Sequence, residues 1–210
     1  MTNPLQSAHY LLAAHLPRQL PSDDGREVAF AGRSNAGKSS ALNALCGQNS
    51  LARTSKTPGR TQQLVYFEVA ERRYLVDLPG YGYAKVPGEL RAHWQEFING
   101  YFRNRQALVG LVVVMDIRHP LREFDLKMLD YTADRALPTH CLLTKADKFG
   151  RGQQLRACAE VGAALRQRYR HPVGVQVFSA PGRIGLDSAR AVIAGWLFDP
   201  PAMPTPSDPA

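Results

Sequence analysis

Residues 32–39 read GRSNAGKS, and this stretch decides the fold. It follows an apolar, strand-like run at residues 27–31 and precedes a helical pattern at residues 39–45. It matches G-x-x-x-x-G-K-[ST] without departure, in the strand-to-helix setting that this motif needs. Gly32 and Gly37 let successive backbone N–H groups turn inward around phosphates, and the start of the helix adds the positive end of its dipole. The stretch therefore predicts a nucleoside triphosphate site at the end of a strand.

Two side chains of this loop carry chemistry of their own. Lys38 supplies a compact cation for the β- and γ-phosphates, and the hydroxyl of Ser39 is a ligand for Mg²⁺. A glycine-rich turn with a chance lysine is the alternative, which the strand-to-helix setting disfavours. The whole loop is predicted to bind nucleotide: Gly32, Arg33, Ser34, Asn35, Ala36, Gly37, Lys38 and Ser39.

A second element lies at residues 75–85, LVDLPGYGYAK. Asp77 ends an apolar strand with a charge that a core does not accept unpaired, so it either caps a turn or faces a charged ligand. Beside a phosphate loop, its carboxylate can hold a magnesium-bound water. DLPG is the D-x-x-G arrangement of GTPases, in which the N–H of Gly80 can bond the γ-phosphate. Nucleotide contacts are predicted for Asp77, Leu78, Pro79 and Gly80.

The base is predicted from LLTKAD at residues 142–147, which follows an apolar strand. A carboxylate at Asp147 accepts from both N1–H and the 2-amino group of guanine. Adenine offers neither donor, so such a site could discriminate by a factor on the order of 10⁴. The stem of Lys145 can cover the base plane, and the N–H of Ala180 can donate to guanine O6. An Asp147 that merely caps the next helix is the alternative. The predicted contacts are Thr144, Lys145, Ala146, Asp147, Phe178, Ser179 and Ala180.

Strand and helix patterns alternate along the chain and predict a layered α/β sheet. The continuous apolar run at residues 108–115 is typical of a strand covered on both faces. Residues 1–25 are predicted to be an N-terminal lead-in, and residues 26–198 the domain that holds the motifs. Residues 199–210 are rich in proline and are predicted to be a disordered tail.

The chain is basic, with a net charge of +8 and a pI near 9.7. Attraction to phosphate-rich partners such as RNA is one reading of this charge, and an ordinary solvated surface is the other. Arg166, Arg168 and Arg170 lie close together in RQRYRH, while much of the remaining excess is dispersed.

The three cysteines, Cys46, Cys141 and Cys158, are far apart and show neither metal-ligand nor disulfide spacing. They are read as buried thiols in a reducing compartment. No apolar run is long enough to span a bilayer. We therefore expect a cytoplasmic protein, monomeric and without a membrane span.

In this order, the motifs resemble those of the translation-factor-like GTPases, and more closely those of the EngB family. The specific marks are GRSNAGKSS, ARTSKTPGRTQ, DLPGYGYAK, DIRHPL and LTKAD, within roughly residues 8–198. Thr144 replaces the asparagine of the usual N-K-x-D, a departure that this family shows.

The resemblance implies a P-loop GTPase domain, in which a mixed, mostly parallel six-stranded sheet is flanked by helices on both faces. It also implies binding of GTP and GDP with Mg²⁺. A role in assembling the large ribosomal subunit, with contact to ribosomal RNA, is implied as well. So is an association with normal cell division and septation.

The family's switch I motif falls on residues 59–63, where Thr61 would be the second protein ligand of Mg²⁺ beside Ser39. Thr57 is the rival candidate, but it precedes Pro58 and does not match the motif. Lys38, Thr61 and Gly80 are the residues expected to act in hydrolysis. The switch I residues expected at the nucleotide are Gly59, Arg60, Thr61, Gln62 and Gln63.

Tyr81 stands where many regulatory GTPases place a glutamine that orients the attacking water. A phenol, with a reference pKa of about 10, is a poor base at neutral pH, so slow hydrolysis of GTP to GDP and phosphate is expected. Asn35 resembles the asparagine of potassium-activated relatives, which makes K⁺ a candidate cofactor, whereas an Asn35 that only shapes the loop is the equal alternative. The competing function is a P-loop phosphotransferase or ATPase with a small-molecule acceptor.

Overall fold

The computed structural model describes residues 2–52, 63–80 and 88–199, with the backbone alone at residues 88–94. Within these ranges the chain alternates strands with helices, as the sequence pattern predicts. The strands are β1 His9–Ala14, β2 Arg26–Gly32, β3 Leu64–Ala70, β4 Arg73–Asp77, β5 Leu108–Asp116, β6 Thr139–Thr144 and β7 Val173–Val177. The helices are α1 Lys38–Cys46, α2 Gly88–Asn104, α3 Glu123–Ala133, α4 Arg151–Arg168 and α5 Leu186–Phe198.

All seven strands form one mixed sheet in the order β1-β3-β4-β2-β5-β6-β7. The ladders from β4 across to β7 are parallel, while β3 runs antiparallel to both β1 and β4. The predicted α/β class and the mostly parallel sheet are confirmed. The predicted strand count of six is wrong.

The additional strand is β1, which lies inside the predicted lead-in of residues 1–25. Its main chain pairs with β3, so that His9 lies opposite Glu68 and Ala14 opposite Leu64. Tyr10 and Leu11 are 60% and 38% exposed because β1 forms the sheet border, so the apolar residues of HYLLAA do not report burial on both faces. The domain boundaries stay a prediction, and residues 200–210 of the predicted tail lie outside the described residues.

Helices cover both faces of the sheet, as expected. Side chains of α2, α3 and α4 build the core on one face, and those of α1 and α5 build the core on the other. β5 serves both cores, since Val113 and Met115 point into the first and Val112 and Val114 into the second. This double burial accounts for the continuous apolar run of β5. No helix in the described ranges combines the length and the apolarity that crossing a membrane requires.

One carboxylate lies inside the core. Glu27, at the start of β2, is fully buried. The hydroxyls of Tyr101 and Tyr66 donate to it at 2.9 and 3.2 Å, and the Nε of Arg105 donates at 3.0 Å. Arg105 is itself buried and also contacts Asp23, with 3.3 Å between Nε and Oδ1. This network ties β2 to β3 and to the end of α2, and it satisfies a charge that would otherwise be costly to bury.

The parallel strands bring polar residues to one edge of the sheet. β4 ends at Asp77, β2 at Gly32, β5 at Asp116 and β6 at Thr144. Because ligands of open α/β sheets bind beyond the carboxyl ends of the strands, this edge is the place to examine for a site.

Candidate nucleotide-binding site

The loop that follows β2 depends on two glycines. A Cβ on Gly32 would lie 2.8 Å from the carbonyl oxygen of Val114, so only glycine lets this loop pass β5 so closely. Gly37 has a φ of 95° and occupies the N-cap position of α1, a left-handed conformation that other residues adopt with strain. The loop then enters α1 at Lys38, as the motif predicts.

Lys38 and Asp77 form an ion pair across this edge of the sheet. Their side chains are only 10% and 16% exposed, since Lys38 opens α1 and Asp77 ends β4. Of the two alternatives for Asp77, the structure therefore shows a carboxylate that faces a cation and does not merely cap a turn. A bound triphosphate would offer Lys38 a competing anion, which would release Asp77 toward a metal-bound water.

Gly80 lies close to the phosphate loop at residues 32–39. A Cβ built on Gly80 would lie 3.5 Å from both the carbonyl oxygen of Gly32 and the backbone nitrogen of Ser34. Leu78, two residues earlier, is anchored to β2 because its N–H donates to the carbonyl of Phe30 at 3.0 Å. The D-x-x-G segment and the phosphate loop are thus neighbours, as the sequence predicts. Pro79 lies between these two contacts.

Thr144 joins the end of β6 to the phosphate loop. Its Oγ1 lies 2.5 Å from the carbonyl oxygen of Ala36 and 2.9 Å from that of Met115. Thr144 is 4% exposed, and a Cβ on Gly37 would lie 3.6 Å from its side chain. The one hydroxyl proton therefore lies between two backbone carbonyls that share it, and Thr144 joins β5, β6 and the loop as a brace.

Thr144→Val removes this brace while keeping the side-chain volume. We expect the affinities for GTP and GDP to fall together by about tenfold, because the single hydroxyl proton that the Ala36 and Met115 carbonyls share is lost, at a net cost of about 1–3 kcal/mol. Titration of each nucleotide by fluorescence or calorimetry measures the change. Thr139→Val is the matched control, since Thr139 also donates a buried hydrogen bond, to Leu137, but at the opposite end of β6. A loss confined to one nucleotide would contradict the brace.

The side chain of Lys145, which follows β6, extends across the phosphate loop at residues 32–39. Its Nζ donates to the carbonyl oxygen of Asn35 at 2.7 Å and lies 2.8 Å from Oδ2 of Asp116. Lys145 has a φ of 60°, so the backbone turns sharply out of β6 and sends the side chain over the loop. This position suits a stem that covers the plane of a bound base.

Asp147 lies in the short turn Ala146–Lys148 and is held by the loop that follows β7. The hydroxyl of Ser179 donates to Oδ1 of Asp147 at 2.6 Å, and the N–H of Gly182 donates to that hydroxyl at 3.0 Å. The same hydrogen bond from Ser179 lowers the pKa of the Asp147 carboxyl, which keeps it an anionic acceptor. The N-cap of α4 is Gly150, so Asp147 does not cap that helix.

The two base-site segments are tied together by their backbones. The N–H of Ala146 donates to the carbonyl of Phe178 at 3.1 Å, and the N–H of Phe178 donates to Leu143 at 2.8 Å. Phe178 and Ser179 are buried, and Ala180 follows them with partial exposure. The structure therefore brings LTKAD and FSA together, next to the phosphate loop.

The hard oxygen donors here fit a magnesium ion. Ser39 is the second residue of α1 and directly follows Lys38, and the carboxylate of Asp77 lies against that lysine. Hydroxyl, carboxylate and phosphate oxygens are the ligands that Mg²⁺ prefers. Thr61, the second predicted ligand, lies outside the described residues, together with Gly59, Arg60 and Gln62. Gln63 immediately precedes β3 and is half-buried.

Comparison with known proteins adds a decisive observation. Residues 27–145, more than half of the chain, match the model of a family described as 50S ribosome-binding GTPase. The chain is also 63% identical, over 201 residues, to the probable GTP-binding protein EngB of Xanthomonas campestris pv. campestris strain 8004, covering 94% of this chain and 97% of that protein. The chain belongs to the EngB family of GTP-binding proteins. EngB of Xylella fastidiosa strain Temecula1 is likewise 63% identical, over 197 residues, with coverage of 94% and 97%.

Solved structures agree on the fold. The crystal structure of a probable EngB protein superposes with a TM-score of 0.62 and 22% identity, covering 81% of this chain and 98% of that one. A variant of Aquifex aeolicus Era bound to GDP and AlF₄⁻ gives a TM-score of 0.60 and 19% identity, covering 81% and 56%. The predicted P-loop GTPase fold and the resemblance to the EngB family are both confirmed.

Sequence reasoning missed two carboxylates of this EngB-family site. Asp116 ends the buried strand β5 and holds Lys145, and hydrogen bonds from Arg118 and then Lys145 keep the pKa of its carboxyl well below the usual range. The sequence does indicate Asp116, because this acid ends an apolar strand just as Asp77 does. Asp125 gives no such signal, because it lies inside a helical pattern.

Asp125 faces a cavity of about 200 Å³ beside the phosphate loop, which Arg33 and Asn35 also line. It is 1% exposed, and its Oδ2 accepts from the N–H of Arg122 at 2.9 Å. Within the described residues its Oδ1 has no hydrogen-bond partner. Burial raises the pKa of the Asp125 carboxyl to about 6, against an ordinary value of 3.8.

Asp125→Asn should therefore change how stability depends on pH. A raised pKa means that the folded state binds the proton more tightly, so the ionised carboxylate weakens folding above pH 6, and that penalty is lost as the pH falls. Between pH 7 and pH 5, the free energy of unfolding of the unmodified chain should gain about 1–2 kcal/mol relative to Asp125→Asn. Urea unfolding at each pH measures this gain.

The control for this comparison is Asp130→Asn. Asp130 lies on the same helix, but its side chain is 51% exposed and pairs with Arg168. The difference in the free energy of unfolding between the unmodified chain and Asp130→Asn should not rise as the pH falls from 7 to 5. If the difference in the free energy of unfolding between the unmodified chain and Asp125→Asn is the same at pH 7 and pH 5, Asp125 does not titrate in this range.

Proposed function

We propose that this chain is a GTP-switched factor that acts in the cytoplasm on assembly of the large ribosomal subunit, with slow intrinsic hydrolysis of GTP to GDP and phosphate. The observation that carries the nucleotide part is the convergence of four segments at one sheet edge. The phosphate loop contacts Asp77 through Lys38, Gly80 approaches Gly32 and Ser34, and Thr144 bonds Ala36. The phosphate loop at residues 32–39 and the D-x-x-G segment at residues 77–80 would bind a triphosphate. Residues 144–147 and 178–180 would bind a guanine base.

Guanine recognition is assigned to Asp147, with Lys145 over the base and the N–H of Ala180 at guanine O6. The hydroxyl of Ser179 fixes one carboxylate oxygen of Asp147 at 2.6 Å, and the second lies 3.4 Å from the Nζ of Lys148, an exposed cation that the guanine donors would displace. A rigidly held anion rejects adenine because adenine cannot donate to it, and the carboxylate would be desolvated without compensation.

Hydrolysis is assigned to positioning and charge. Lys38 would neutralise charge that develops on the β- and γ-phosphates, and the Gly80 N–H would hold the γ-phosphate until it leaves. Ser39 and Thr61 would hold Mg²⁺, which when bound would withdraw negative charge from the phosphates. Tyr81, which lies outside the described residues, is not a base at neutral pH, so turnover depends on a partner or on a cation.

Asn35 decides whether that cation is K⁺. Its φ of 64° and the bond from Lys145 to its carbonyl give the asparagine a role in shaping the loop. Hydrolysis measured in K⁺ and Na⁺ buffers of equal ionic strength separates the alternatives. Faster turnover in K⁺ that is abolished in Asn35→Ala would assign a cation site, and equal rates would leave Asn35 the structural role alone.

The ribosomal part of the proposal is supported by the description of the matching family as 50S ribosome-binding GTPases and by the net charge of +8. Loss of the γ-phosphate contact at Gly80 would free the segment that follows D-x-x-G, so the two nucleotide states would present different surfaces to the partner. The proposal includes the association with normal cell division and septation that the EngB-family resemblance implies. The factor is proposed to act as a monomer.

Binding to isolated large-subunit precursors tests this function. Co-sedimentation with a non-hydrolysable GTP analogue should exceed that with GDP by at least about tenfold, the range of a typical coupling free energy. ATP should neither support binding nor compete with a labelled guanine nucleotide. Equal binding in both nucleotide states would refute the switch, and competition by ATP would favour the phosphotransferase or ATPase instead.

A further inference from the structure

Helix α4 carries an unbalanced charge. It contains Arg151, Arg156, Arg166 and Arg168 but a single acid, Glu160. Helix α3, which packs on the same face of the sheet, has the opposite balance, with three acids against Lys127. Helix α4 therefore carries a net charge of +3, part of the chain's net charge of +8.

Three of the four arginines are exposed to solvent, and the Nη1 of Arg166 lies back along the helix over Gly162. Arg151, Arg156 and Arg166 are exposed, and none of them makes an ion pair with another described residue. Arg168 differs, because it pairs with Asp130 at 3.1 Å and lies over the ring of Tyr169. The nucleotide site uses none of these side chains.

Small and apolar residues lie between the three free arginines. Leu155 is 61% exposed, and Ala159 and Ala163 follow it at intervals of four, so the three form one ridge along the helix. Arg151 and Arg156 lie toward one end of this ridge and Arg166 toward the other, about 22 Å from Arg151 and about 15 Å from Arg156 along the helix axis at 1.5 Å per residue. The α4 basic face is defined as Arg151, Leu155, Arg156, Ala159, Ala163 and Arg166.

We propose that the α4 basic face binds the sugar–phosphate backbone of RNA. Guanidinium groups bind phosphates through two parallel hydrogen bonds, and free arginines can do so without first breaking an ion pair. The alanines let a strand approach the helix closely, and Leu155 offers an apolar contact to ribose or to an unstacked base. The inference rests on the proposed function, because that function supplies the RNA partner.

The face is also linked to the nucleotide site. α4 begins four residues after Asp147. The Nε2 of Gln154, in its first turn, donates to the carbonyl oxygens of Ala146 and Phe149 at 2.9 and 2.8 Å. RNA on the face would therefore lie on a helix anchored to the loop that reads the base.

The test compares two double variants that remove equal charge. Arg156→Gln with Arg166→Gln changes the α4 basic face, while Arg18→Gln with Arg103→Gln changes exposed arginines elsewhere. Binding of a short single-stranded RNA is measured from low to moderate salt, with the GTP analogue present. The α4 variant should lower the slope of log K against log salt by about 1.4, since each lost phosphate contact removes about 0.7. Its affinity at low salt should fall about tenfold or more, and the control should change less than about twofold.

Several outcomes would overturn the inference. Equal slopes for the two double variants, with thermal unfolding unchanged, would show that the face does not contact RNA. Loss of binding to vesicles containing phosphatidylglycerol, with RNA binding intact, would assign the face to a lipid surface. Failure of the proposed function is distinguishable: precursor binding that ignores the nucleotide would refute the switch, while a reduced RNA slope would still support the α4 basic face.

Discussion

Asp147→Asn is expected to exchange guanine for xanthine as the preferred base. The carboxylate that Ser179 holds at 2.6 Å would become an amide, which donates to the C2 carbonyl of xanthine but no longer accepts both guanine donors. We expect the affinity for GTP to fall by a factor on the order of 10³–10⁴, and that for XTP to rise above it. Competition of GTP, XTP and ATP against a labelled nucleotide measures the exchange.

Two further variants make this result specific. Asp187→Asn removes an acid that is 97% exposed on α5, and it should leave the base preference unchanged. Ser179→Ala removes the hydrogen bond that holds Asp147 but leaves the carboxylate charge in place. The affinities for GTP and XTP should therefore both fall, while GTP stays preferred. An Asp147→Asn variant that still prefers GTP would remove Asp147 from base recognition.

Arg105→Ala is expected to destabilise the fold more than any other single change to the described core charges. It would leave Glu27 fully buried with only the hydroxyls of Tyr66 and Tyr101, and a buried carboxylate without its cation costs about 3–5 kcal/mol. Urea unfolding at pH 7 measures the loss. Nucleotide binding extrapolated to the folded fraction should be preserved, because Glu27 lies at the opposite end of β2 from the phosphate loop.

The neighbouring Arg103 provides the control. It is exposed in the last turn of α2, two residues before Arg105, and Arg103→Ala should change the free energy of unfolding by less than about 0.5 kcal/mol. A double variant with Glu27→Gln and Arg105→Ala should lose less than the sum of the single losses, since neither change then leaves an unpaired ion. Strict additivity would mean that the two side chains do not stabilise each other.

The phosphate loop and the central strands could be predicted because their signals are local. Gly32 and Gly37 are required by the backbone itself, one by the close approach of Val114 and the other by its φ. The apolar run of β5 reports burial on both faces without reference to any partner. Such features depend on neighbours in sequence or on solvent exclusion alone, and so the chain displays them directly.

Other features depend on partners that are distant in sequence. The residue type at Thr144 indicates only a departure from the usual asparagine, while its bonds to Ala36 and Met115 exist because two strands and a loop meet. The apolar residues of β1 do not show that its main chain pairs with β3, a strand about 55 residues further along the sequence. Asp125 is a helix-start acid like many others until the cavity behind the loop shows its burial. These contacts could not be predicted from spacing.

The position of β1 has a practical consequence for handling the protein. Deleting residues 1–15 would uncover the outer margin of β3 and leave its amide and carbonyl groups without the partners that β1 supplies. An unpaired strand margin is a template for intermolecular pairing, so the shortened chain should form soluble aggregates or inclusion bodies while its nucleotide motifs remain intact. The leading segment thus protects solubility, and an expression design that trims it as dispensable would lose the protein to self-association.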